Sequence, residues 1–171
     1  MDNKKSSIWT PAIVIALISI IFTLILYFVH QIDNKALSWI GSLIFIVCIC
    51  IACSQYAKSL NGNVTFGNVF GYGFKVTAAI ALIMIVWSVL MYKVIFPNLP
   101  DEIMQKQTAA MLAKGMSQDA IDKGMQIGKK FFMPILIGGS LFGYAFLGAI
   151  AALIGAAIAK KNPQASNPFV Q

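Results

Sequence analysis

The sequence contains no arginine, a single histidine and only six acidic residues among 171. Each shortage excludes something. Charged residues make up 11% of the chain, against about 25% in a soluble domain. A chain this short still exposes much of its surface when folded. With 58% hydrophobic residues, that surface needs lipid to cover it. All thirteen basic residues are lysine, so the net charge of +7 carries no guanidinium fork. Bidentate reading of phosphate and guanine depends on that fork, which argues against nucleic acid as a partner. Lysines beside helix ends hold anionic headgroups and set orientation instead. The lipid bilayer is therefore the first partner.

Cysteine is equally sparse. Cys48, Cys50 and Cys53 fall inside one apolar run, so no disulfide framework can form with another part of the chain. On a straight helix Cys50 and Cys53 share a face, while Cys48 points about 200° away from Cys50. Three thiolates cannot converge there on one ion, and packing is the better reading. His30, at the end of the first apolar run, has no carboxylate within any of the runs to relay a proton. Met104, Met111, Met116, Met125 and Met133 are spaced too widely for a copper cluster and suit adaptable packing. No metal site, cofactor site or catalytic set is read from the chain, and the expectation is a protein that is not an enzyme.

What is present is four apolar runs, at about 11–29, 36–56, 74–96 and 131–159. Each reaches the ~20 residues needed to cross a ~30 Å hydrocarbon core. The first run follows Lys4 and Lys5 as a signal peptide does, but its length and the missing cleavage site mark a retained span. Lys75 and Lys93 stand about 27 Å apart along the third run, which lets both ammoniums reach opposite interfaces. Between the third and fourth runs, 97–130 reads as a two-helix amphipathic segment broken at Gly115. Asp101 and Glu102 open its first helix, and Ser117 with Asp119 opens its second. The whole reads as an all-α integral membrane four-helix bundle, one domain over 1–161, with a disordered tail at 162–171. Lysines divide almost evenly between the two sides. Lys4 and Lys5 against Lys35 favour cytoplasmic N- and C-termini.

Two motifs remain. Gly139, Gly143, Gly148, Ala152 and Gly155 lay small residues along the fourth span, where they allow close helix approach in lipid. Ahead of the third span, Phe66, Gly67, Phe70, Gly71, Gly73, Phe74 and Lys75 form a glycine–aromatic lead-in, read as a docking stretch or as a re-entrant element. The stretch 62–75, GNVTFGNVFGYGFK, resembles the signature of a bacterial membrane family known as domain of unknown function 4199. The similarity extends over nearly the full length. In that family the last span is accompanied by Asn-Pro and often by an acid. Here Phe131-Phe132-Met133-Pro134 leads in and no acid follows, so no role resting on that acid is carried over. The resemblance implies a multi-pass protein of the bacterial cytoplasmic (inner) membrane and brings no activity with it. The expected task is interaction or assembly, as a homo-oligomer or with other membrane proteins. The alternative is a small oligomeric transporter or channel subunit.

Overall fold

Residues 7–31 and 34–162 are described by the computed structural model. Among them are five α-helices and no strand: α1 (Trp9–Phe28), α2 (Lys35–Ser59), α3 (Phe66–Leu90), α4 (Leu99–Ala113) and α5 (Gln118–Ile158). A π-helical turn, Met91–Ile95, continues α3. Four helices are long and apolar enough to cross a membrane: α1, α2, α3 with its π-helical turn, and α5. The chain is thus a multi-pass membrane protein. Past Asn162 the expected tail lies outside the described residues, as do Lys4 and Lys5.

Backbone chemistry explains where the helices stop. At the ends of α1, α2 and α4, one residue in the left-handed region lets two amide groups turn back onto the last carbonyls. After α1 it is His30 (φ 55°), with Gln31 N donating to Leu26 O at 2.9 Å. After α2 it is Asn61 (φ 53°), followed by Gly62 also at positive φ (74°), with Gly62 N donating to Ala57 O at 2.8 Å. After α4 it is Gly115 (φ 77°), with Met116 N donating to Met111 O at 3.2 Å. The break expected at Gly115 is this turn. His30 is accordingly part of a helix stop, exposed at the end of α1.

Two boundaries differ from the sequence reading. The sequence puts the third span at 74–96, and the helix that carries it, α3, starts at Phe66. Thr65 explains the earlier start: its Oγ1 accepts from Asn68 N at 3.3 Å, and its carbonyl accepts from Val69 N, as an N-cap does. Burial of Val69, Tyr72 and Gly73 then offsets the ~1 kcal/mol that each glycine costs within a helix. The second correction concerns the segment 97–130. Its second helix does not end before the fourth span; both belong to the 41-residue α5. Pro134 lies inside that helix and withdraws only one ladder hydrogen bond, which apolar helices tolerate.

The contacts fall into two compact units, Met1–Met84 with Phe142–Gln171, and Ile85–Leu141. The first is a helix bundle with Ile49, Cys53, Val69, Val76, Thr77, Ile80, Ala152 and Ala156 in its core. Its α2 and α5 meet through an edge-to-face pair, Phe45 with Tyr144, at 5.8 Å. In the second unit α4 lies along the start of α5. Asp101 pairs with Lys129 at 3.2 Å, and Leu99, Met104 and Ile121 are buried. Tyr92 meets Phe132 edge-on at 5.6 Å.

Candidate functional site

Close packing in the first unit brings α2, α3 and α5 together around Cys53. A Cβ added at Gly73 would stand 2.7 Å from Cys53 Sγ and 3.0 Å from Ala152 Cβ. One added at Gly155 would stand 2.9 Å from both Cβ and Sγ of Cys53 and 3.3 Å from Cys50 Cα. Separations below 3.0 Å are closer than real Cβ contacts, so glycine is what lets three backbones share this space. The thiols also serve the junction. Cys53 Sγ approaches Val69 O at 3.9 Å and Cys50 Sγ approaches Ala151 O at 3.8 Å, as weak donors.

One turn further along α3, Thr77 makes the tightest contact of all. A Cβ at Gly148 would lie 2.0 Å from Thr77 Cγ2, 2.7 Å from its Cβ and 2.8 Å from its Oγ1. The Thr77 hydroxyl donates to Gly73 O at 3.1 Å within its own helix, so it is satisfied while 1% exposed. It can therefore pack as a methyl-bearing knob without carrying an unpaired polar atom into the core.

The motif residues separate on this geometry. Gly148, Ala152 and Gly155 join Gly73 at the α2–α3–α5 junction. Gly139 and Gly143 meet nothing within 4 Å of an added Cβ. In the lead-in only Gly73 is drawn into the core. Gly71 meets nothing within 4 Å, and Gly67 meets only Thr65 Oγ1 at 3.9 Å. Phe66 and Phe74 are exposed, Phe70 stacks on Phe74 at 6.2 Å, and Lys75 is exposed. The stretch is helical from Phe66 onward and continuous with the third span.

Cys53 and Thr77 were not singled out in the sequence as the partners of these glycines. The available signals were the shared face of Cys50 and Cys53, and the one-turn spacing of Gly73 and Thr77. The aromatic pair near the helix ends was missed as well. Tyr56 and Tyr72 stack at 4.1 Å with their planes 8° apart, and the Tyr72 hydroxyl donates to Ser7 O at 3.3 Å. Nearby in the fold, Asn162 N donates to Gly62 O at 2.8 Å, which ties the end of α5 to the α2–α3 turn. Lys161 Nζ donates to Ala156 O and stands 5.2 Å from the Phe66 ring centroid.

Chemically, the junction holds helices in contact. Among the described residues, no group of three or more His, Cys, Asp or Glu side chains could hold a metal ion. No curated protein and no solved structure matches the chain. Residues 11–161 match one family, described as protein of unknown function (DUF4199), and that stretch includes all four apolar helices except the first two residues of α1. The chain belongs to this DUF4199 family.

Proposed function

We propose that this protein is a non-enzymatic component of the bacterial inner membrane whose task is interaction or assembly within the bilayer. The observation that carries the reading is an apolar interior. Among the described residues the buried hydroxyls are those of Thr77, satisfied inside its own helix, and Tyr72, which donates to Ser7 O. A transport path needs polar groups at mid-membrane depth between helices. The runner-up, a small oligomeric transporter or channel subunit, has on its side the buried Trp87 indole Nε1, which lacks a hydrogen-bond partner among the described residues. A single donor is not a path.

The assembly reading also has a surface. Along α5, Phe142 is 78% and Phe146 63% exposed, and Gly143 beside them is open to close approach. A second copy, or a helix of another membrane protein, would seat there by dispersion and weak Cα–H···O contacts. In this reading the termini are cytoplasmic, and the 97–130 segment is the amphipathic, extramembrane part on the opposite side. Crosslinking in native membranes tests the proposal. It predicts a discrete adduct heavier than the monomer; recovery of the chain as an uncrosslinked monomer alone counts against it.

A further inference from the structure

A cleft of about 750 Å³ opens in the first unit between α1 and α2, with Tyr72 of α3 at one end. Its lining runs from Ser7, just ahead of α1, to Ile18 on α1 and from Ser59 back to Cys48 on α2. Each stretch advances eleven residues, or about 16 Å at 1.5 Å per residue. That is roughly half of a ~30 Å hydrocarbon core, the depth of one leaflet. Polarity is sorted along this length. Ser7, Thr10, Gln55 and Ser59 lie at the end where the helices reach the interface, and Val14, Ile18 and Ile51 line the deep part.

We propose that this cleft binds one anionic glycerophospholipid from the leaflet nearest the chain ends. One of its acyl chains lies along α1 and α2, and its phosphate and ester oxygens accept hydrogen bonds from Ser7, Thr10 and Gln55, the Ser59 hydroxyl being engaged with Tyr56 O at 2.8 Å. Hydroxyls and a carboxamide supply the donors that such oxygens need. The exposed Lys58, next to Ser59 in sequence, and the exposed Lys160 at the end of α5 put positive charge at the same end, which selects an anionic headgroup. The volume lies in the ~300–1,000 Å³ range of small-molecule sites. A partner helix fits poorly, because it is ~10–12 Å wide and would run the full membrane depth. This inference does not depend on the assembly reading, since occupancy is read on the monomer.

The test is native mass spectrometry of the full chain in mild detergent, with phosphatidylglycerol or phosphatidylethanolamine added. Ile51→Trp fills the cleft from a half-exposed position, and Val47→Trp places the same ring on an exposed site of α2 outside the cleft. The wild type and Val47→Trp should each retain one phosphatidylglycerol per chain, and Ile51→Trp at least tenfold less. Should Ile51→Trp fail to fold, Val14→Trp blocks the cleft from α1 with the same expectation. No lipid retained by the wild type, or equal retention by Ile51→Trp and Val47→Trp, overturns the site. Equal retention of phosphatidylethanolamine overturns the headgroup assignment.

Discussion

Gly148→Ala is the sharpest perturbation that the geometry allows. The new methyl would sit 2.0 Å from Thr77 Cγ2, and all three nearest atoms belong to Thr77. Thr77 has little room to yield: it is 1% exposed, β-branched and bonded to Gly73 O. Either α3 and α5 move apart or Thr77 leaves its rotamer. Overpacking of this kind costs about 1–3 kcal/mol, sometimes more. Against it stands the gain of up to ~1 kcal/mol from replacing glycine by alanine within a helix. A 2.0 Å approach to a side chain with so little room to yield puts the cost at the upper end of the overpacking range. A net loss of about 2 kcal/mol follows, roughly a thirtyfold fall in the folded-to-unfolded ratio. Reversible unfolding in mixed detergent micelles measures it, with Gly143→Ala as control because nothing lies within 4 Å there. Thr77→Ala removes two of the three clashing atoms and leaves the Cβ at 2.7 Å. The double variant should therefore recover part of the loss, with a coupling of about 0.5–3 kcal/mol. Equal stability of Gly148→Ala and Gly143→Ala, or strict additivity with Thr77→Ala, would refute the packing argument.

The Cys53 junction makes a more selective prediction. Cys53→Ala removes Sγ, the nearest obstacle to a methyl at Gly73, but keeps the Cβ that obstructs Gly155 at 2.9 Å. Cys53→Ala should thus relieve much of the instability of Gly73→Ala and little of that of Gly155→Ala, as read by thermal unfolding in detergent. Equal rescue of both would show that the register of α2 is wrong. In the second unit, the Asp101–Lys129 pair leaves both side chains 61% exposed, so solvent and salt screen it. Asp101→Asn should shift stability by less than ~1 kcal/mol, and a larger loss would mean that α4 depends on this pair.

Much of the fold is legible in the residues. Runs of about 20 apolar residues can have only one explanation at this length, and Gly115 and Asn61 mark turns through their tolerance of positive φ. The family likeness is equally visible in the 62–75 stretch. Other features are not, for physical reasons. A lipid-exposed helix is apolar on its outer face as well as its inner one, so periodicity does not reveal which face packs. Gly139 and Gly143 therefore look the same as Gly148 and Gly155 in sequence, although only the latter pair meets a neighbouring helix. The pairing of Gly73 and Gly155 with Cys53 depends on the relative register of three helices, which no local pattern encodes. The start of α3 is legible, because Thr65 followed by Asn68 is an ordinary N-cap arrangement. The continuity of α5 was concealed by polar residues at 118–130, which make its first turns resemble a separate surface helix.

Single-cysteine labelling with a membrane-impermeant maleimide on intact cells tests the four-span account most directly. Gln31→Cys lies in the α1–α2 turn, Asn63→Cys in the α2–α3 turn and Lys160→Cys just after α5, all exposed. The native cysteines lie within α2, away from such a reagent. The account predicts that Gln31→Cys labels from outside, while Asn63→Cys and Lys160→Cys label only after the membrane is opened. Labelling of Gln31→Cys and Asn63→Cys from the same face would mean that α2 does not cross the bilayer, and would contradict the account.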